Sequence, residues 1–353
     1  MIVKRTPHHV VALALVFAGI VLSCANGDDI SDRSRSSPPA VEPVDEFPNP
    51  YNRVEPWAVL PEDMVLGAVI GAEPGPDGNV YVLHRCFENS CVDRPEDPIL
   101  KLDPAGRLLA SWGAGLYAFP HGFHVDPEGN VWTTDTELHQ VLKFTSDGDL
   151  LMTLGQAGVA GDLPGAFNQP TDVVVGPEGN VYVTQGHSAA GAGPATHSRV
   201  ARFSGDGIYV DSWGTLGSGP GELNRPHTIA IDSQDRLFVG DRSNNRIQIF
   251  DLDGRYLDAW TQFGRPSGIY ITNDDTIYVA DSESWGPDNP GWRKGIRVGS
   301  ARDGSVAYFI EDIESTTEEH SGAEGVGVDA EGNVYGAVVR RRMLERHEPA
   351  IAP

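Results

Sequence analysis

The sequence predicts an all-β chain folded as a six-bladed β-propeller, and three observations carry that expectation. First, one hairpin pattern recurs six times between residues 65 and 340. It reads VIGAEPGPDGNVYVLHR at 69–85, FPHGFHVDPEGNVWTTD at 119–135 and QPTDVVVGPEGNVYVTQ at 169–185. It continues as RPHTIAIDSQDRLFVGD at 225–241, RPSGIYITNDDTIYVAD at 265–281 and, more loosely, GAEGVGVDAEGNVYGAV at 322–338. Apolar positions alternating on both sides of a Gly/Asn turn make a hairpin, because successive strand side chains point to opposite faces. Second, the units are blade-sized: the aromatics Tyr81, Trp132, Tyr182, Phe238, Tyr278 and Tyr335 follow one another at 51, 50, 56, 40 and 57 residues. Third, two more short strand patterns follow each hairpin, such as VLKFTSDG and LLMTLG, which brings each unit to four strands.

Along the chain, the first element is an address. Lys4 and Arg5 precede an apolar run from Val10 to Leu22 that is short for a membrane span and suits a secretory signal. The run ends in Val21-Leu22-Ser23-Cys24, which resembles a bacterial lipobox. Residues 1–23 are therefore expected to be removed and Cys24 to carry lipid, leaving an exported, membrane-anchored protein that faces the periplasm or cell exterior. Residues 24–55 are rich in Asp, Ser and Pro without apolar periodicity, the composition of a disordered tether. The propeller is expected over 56–348, with Pro56 to Leu60 supplying the outer strand of the last blade and so closing the ring.

Composition narrows the partners. With 26 Lys+Arg against 50 Asp+Glu the net charge is −24, and no basic stripe interrupts it, so nucleic acid is excluded as a partner. A small molecule or peptide fits better, bound by a monomer that touches membrane only through its anchor. The 40% hydrophobic content supports a sizeable core, and 41 Gly with 26 Pro supply turns. The acidic residues of the blade turns (DPEG, GPEG, DAEG) read as solvated. Cys86 and Cys91, close together in CFENSC, read as a local disulfide in an exported chain, because no second cysteine pair completes a thiolate metal site.

Counting back eleven residues from each hairpin aromatic gives Ile70, His121, Thr171, His227, Ser267 and Glu324. In a propeller the innermost strand of each blade lines the central channel, so these six positions form a ring. Alternate blades contribute His121, His227 and Glu324, which converge with trigonal geometry. His₂Glu is a ligand set for a catalytic zinc or a similar divalent ion with one position left open. Arg85, preceded by His84, ends the second strand of blade one, and Arg242 holds a related place in blade four. An arginine there faces the channel mouth, where it can bind a carboxylate or stabilise an oxyanion.

The stretch RPHTIAIDSQDRLFVGDRSNNRIQIFDLDG resembles an NHL repeat. Together with FPHGFHVDPEGNVWTTDTELHQVLKF, FNQPTDVVVGPEGNVYV and VYVLHR, it resembles the peptidyl-α-hydroxyglycine α-amidating lyases over about residues 65–340. That resemblance implies a six-bladed propeller holding zinc through three histidines of alternate blades. It also implies cleavage of a peptidyl-hydroxyglycine C–N bond to an amide and glyoxylate. His121 and His227 then match two of the zinc histidines, and the third falls on Glu324. Arg85 and Arg242 match the two active-site arginines. The family's catalytic tyrosine falls near His187, in a longer Gly/Ala-rich loop where His187 or His197 takes its space; His187 is the expected general base. The residue after the third histidine, an Asp that helps hold a structural calcium, is Gly325 here, which counts against calcium. Two other classes stay open from the residues: another metal-dependent propeller enzyme, such as a lactone hydrolase or ring-opening lyase, and a non-catalytic propeller that binds a peptide or protein.

Overall fold

In the computed structural model, residues 42–43, 45–187, 197–317 and 321–350 are described. They build six four-stranded antiparallel sheets and, among the described residues, no α-helix. The expected signal segment, Cys24 and most of the tether lie outside the described residues.

Five blades are consecutive meanders. Blade one spans Ala68 to Trp112, blade two Pro120 to Leu154, blade three Pro170 to Trp213, blade four Pro226 to Trp260 and blade five Gly268 to Glu311. Blade six takes three strands from the C-terminal side, Ala323–Val328, Val334–Val338 and Met343–Pro349, and its outer strand from the N-terminal side. That outer strand is Tyr51–Val54, paired from Tyr51 opposite Pro349 to Val54 opposite Arg346. Such a closure ties the two sides of the chain together in one blade and supplies the fourth, outer strand that blade six would otherwise lack.

The closing strand corrects the expected one. Pro56 to Leu60 crosses instead from blade six to blade one: Trp57 packs on Tyr335 at 5.0 Å, and the Val59 amide donates to the Gly106 carbonyl at 2.8 Å. The ordered chain also begins earlier than residue 56. Asp45 is buried, pairs with Arg297 and accepts the Arg293 amide at 3.1 Å, while the Pro48 carbonyl accepts the Phe309 amide. Residues 45–55 thus belong to the propeller, because a buried ion pair and a strand register hold them.

The core sits between blades. Each counting aromatic is buried at 6% exposure or less, wedged against a neighbouring blade. Burying such a side chain stabilises the fold by roughly 2–3 kcal/mol. Of the turn acids expected to be solvated, Glu128, Glu178 and Glu331 are exposed, whereas Asp126 is buried and accepts the Asn130 amide and the Trp132 indole N–H. Asp232 of the blade-four turn is buried as well and accepts the Arg236 amide. The two aspartates close the turns by satisfying N–H groups that the bend leaves unpaired.

Candidate metal centre

Ile70, His121, Thr171, His227, Ser267 and Glu324 all line one axial cavity of about 40 Å³. Their inward aim has a local cause. In blades one, two, three, four and six, the ladder between first and second strand breaks register at the ring residue, between Val69/Gly71, Pro120/Phe123, Pro170/Asp172, Pro226/Thr228 and Ala323/Gly325. A bulge leaves one residue outside the ladder and re-aims its side chain. Gly325 is required by the same crowding, since a Cβ there would stand 2.4 Å from the Ile70 carbonyl oxygen.

The blades between the histidine blades orient them through carbonyls. His121 Nδ1 lies 2.8 Å from the Thr171 carbonyl oxygen, and His227 Nδ1 lies 2.7 Å from that of Ser267. A carbonyl only accepts, so each Nδ1 carries the proton and donates. Each Nε2 is left as a bare lone pair, buried and without a hydrogen-bond partner among the described residues. This backbone-to-imidazole contact is the arrangement that sets tautomer and ring direction in metal sites.

His187 joins them. One ring nitrogen of each of His121, His187 and His227 lies within 4.8 Å of the others, and His187 Nδ1 is likewise buried without a partner among the described residues. Burial, reinforced by neighbouring histidine and arginine charge, holds all three imidazoles well below their ordinary pKa. They are neutral at pH 7, the state that donates to a metal. Glu324 abuts the same space, its Oε1 3.5 Å from His121 Nε2, 3.7 Å from His227 Nε2 and 3.8 Å from Arg85 Nη2. Burial raises its carboxyl pKa, against the pull of Arg85 and Arg242.

His187, expected as the base, sits inside the imidazole group, with a ring nitrogen within 4.8 Å of those of His121 and His227. His197, its rival for the space, pairs with Asp162 at 2.8 Å and is absent from the imidazole group. No periodicity in the sequence marks His187 as a donor, because it lies beyond blade three's second strand, off the ring register.

Arg85 is fixed from three sides. Its Nε donates to the Pro120 carbonyl at 3.0 Å, its Nη1 to Asn89 Oδ1 at 2.8 Å, and its guanidinium lies 3.8 Å over the Phe119 ring. The Cys86–Cys91 disulfide closes the loop that carries Asn89. Burial brings the Arg85 pKa down to about 10, so it remains charged. Arg242 opens a short turn after blade four's second strand and is buried as well, with its Nε unpartnered among the described residues. His84 is structural: Nδ1 accepts the Gly67 amide, and burial pushes its pKa down to about 4.

Deeper along the inner strands, Asp172 and Glu73 are the carboxylates of the cavity wall. Asp172 accepts the amides of Val173 and Ile229, and Glu73 Oε2 accepts that of Val125.

Comparison with known proteins agrees with the blade pattern. The NHL repeat model matches residues 117–144 and 223–250. The chain is 40% identical over 206 residues to a peptidylglycine alpha-amidating monooxygenase of Rattus norvegicus, covering 51% of this chain and 20% of that one. It is 34% identical over 168 residues to peptidyl-alpha-hydroxyglycine alpha-amidating lyase 1 of Drosophila melanogaster, covering 42% and 29%. The chain thus spans under a third of the length of either relative. Among solved structures, a streptogramin B lyase aligns with a TM-score of 0.54 at 15% identity, covering 84% of this chain and 97% of that one. A gluconolactonase from Xanthomonas campestris aligns at 0.56 and 15% identity, covering 88% and 98%. These two likenesses are of fold alone.

Proposed function

We propose that this chain, which belongs to the NHL-repeat propellers of the peptidyl-α-hydroxyglycine α-amidating lyase family, is a metal-dependent lyase acting on acyl-α-hydroxyglycines. The observation that carries the reading is the group of three neutral imidazoles, two buried and one half-buried, each with a buried ring nitrogen that meets no partner among the described residues. Leaving such atoms unsatisfied in a fold is costly, and a divalent ion such as zinc satisfies all three. In this reading His121, His187 and His227 hold the ion. When bound, it supplies Lewis acidity that lowers the pKa of a hydroxyl placed beside it.

The chain's own groups then account for the rest. Arg242 takes the substrate carboxylate, and Arg85 steadies the developing oxyanion, which turns the hydroxyl-bearing carbon toward the ring. Glu324, with its carboxyl pKa raised by burial, accepts the hydroxyl proton. As the C–O bond becomes C=O, the C–N bond breaks, and the same proton passes to the departing amide nitrogen. The products are an amide and glyoxylate, with atoms and protons balanced and no co-reactant consumed.

The test is elemental analysis of the purified protein followed by incubation with N-benzoyl-α-hydroxyglycine. One divalent ion per chain and equal yields of benzamide and glyoxylate are expected. A metal-loaded protein that forms no glyoxylate overturns the lyase reading. We also propose export and lipid anchoring through Cys24; Cys24→Ser should release the protein from the membrane fraction, and unchanged retention counts against the anchor.

A further inference from the structure

The channel mouth has a charge problem that the three histidines do not explain. In a molecule of net charge −24, Arg85, Arg242 and Arg265 are buried there, and Arg225 stands near them. Burial lowers the pKa of Arg85, Arg225 and Arg265, and the charge of Arg242 lowers each further. Buried like charges need a compensating anion.

Glu283 supplies that compensation incompletely. One of its oxygens, Oε2, stands 3.4 Å from Arg242 Nη1 and 3.6 Å from Arg265 Nε. A full charge-assisted pair closes to about 2.7–2.9 Å and uses both carboxylate oxygens. Meanwhile the Nε groups of Arg242 and Arg265 are buried without a hydrogen-bond acceptor among the described residues. The arginine side chains are 7% and 6% exposed, whereas that of Glu283 is 40% exposed. The backbone beside it is fixed, with the Ser284 amide donating to Asp281 Oδ1 at 2.8 Å. The exposed glutamate side chain is therefore the part able to swing away. Arg242 is also the leading charged neighbour of both His187 and His227, which puts an anion seated on it next to the imidazole group.

We infer that Glu283 is a specificity residue, an internal carboxylate that holds the seat on Arg242 and Arg265 until a substrate carboxylate displaces it. The inference rests on the proposed lyase reading for the identity of the substrate. A carboxylate-bearing ligand replaces the lost ion pair and gains the open Nε donors. A neutral carbinolamide offers no such exchange, so the seat selects for the acid.

The test uses N-benzoylglycine, which has the carboxylate but no hydroxyl to react, titrated into the metal-loaded full chain by calorimetry. Glu283→Gln removes the competing charge and should tighten N-benzoylglycine binding about tenfold, while the uncharged N-benzoylglycinamide should be unaffected. Glu283→Asp, which keeps the charge, should restore most of the wild-type affinity. For N-benzoyl-α-hydroxyglycine the gain should appear as a lower KM rather than a higher kcat. Should Glu283→Gln not fold, Glu283→Ala gives the same reading. Unchanged or weaker N-benzoylglycine binding in the uncharged variants overturns the inference, because Glu283 would then be a brace for the arginines. If the wild type makes no glyoxylate yet Glu283→Gln still binds N-benzoylglycine more tightly, the lyase reading fails and the seat stands. Glyoxylate formation without tighter binding in the variant sinks the seat alone.

Discussion

His121 and His124 lie on the same inner strand of blade two and end in opposite electrostatic states. His121 donates through Nδ1 to a carbonyl, faces other imidazoles and arginines, and is held neutral by burial. His124 is partly buried, which opposes its charge. Its Nδ1 nevertheless lies 3.4 Å from Glu73 Oε2, and Glu73 with Asp172 and Asp126 behind it carries the His124 pKa above the ordinary value. The upper ring therefore offers lone pairs to a cation, while further along the same strand the carboxylates favour the protonated form of His124. The contrast shows that acidity does not locate a metal site. Both levels have carboxylates, but only the upper one gathers several donors left unsatisfied by the fold.

The largest expected effect separates the two levels directly. His121→Ala or His227→Ala should lower metal affinity by more than about 100-fold, since even partners one shell out cost 10–100-fold. His124→Ala should leave metal content intact, and metal analysis of the three variants decides the matter. Equal metal loss from His124→Ala would merge the two levels into one site.

Next comes the role exchange between His187 and Glu324. His187→Ala should lose metal, whereas Glu324→Gln should retain it and lose about 10²–10⁴-fold in kcat. Metal loss from Glu324→Gln with retention in His187→Ala would return the glutamate to the ligand set and leave the base to be found elsewhere.

A smaller effect lies in pH dependence of the metal-free protein. His121, His187 and His227 have lowered folded pKa values, so the unfolded chain binds more protons below its ordinary histidine pKa of about 6.5. Stability should therefore fall as pH drops below that value. His124, with a raised pKa, acts in the other sense: its contribution is full below about 6.5 and fades as pH rises through the folded value. Denaturant melts across pH 5–8 should show the acid-side loss shrink in His121→Ala and the alkaline-side loss shrink in His124→Ala. Curves that coincide with wild type in both variants would remove the electrostatic contrast.

The smallest effect is expected at the intervening blades. Thr171→Ala and Ser267→Ala delete hydroxyls but keep the carbonyls that hold the histidines, so metal content should be unchanged. Thr171 also donates to the Pro226 carbonyl at 2.7 Å, and losing that bond should cost about 1 kcal/mol in stability. Metal loss from Thr171→Ala would assign the orientation of His121 to the hydroxyl.

Much of this protein is written locally and can be read without coordinates. Period-two alternation, the turn residues and the spacing of Tyr81 through Tyr335 determine blades, because each hairpin depends on neighbours in the chain. The same register names His121, His227 and Glu324 together, since every inner strand meets the axis at an equivalent residue. The Cys86–Cys91 link is equally local. What depends on contacts between distant segments was out of reach. Tyr51–Val54 rather than Pro56–Leu60 closes the ring because Arg346 to Pro349 offers the free edge and Trp57 is drawn onto Tyr335. The bulges that turn the ring side chains inward, the entry of His187 off the register, and the approach of Glu283 to arginines of two other segments were decided only by packing. A side chain's protonation and direction are set by which carbonyls, charges and blades surround it, and no spacing along one strand records those neighbours.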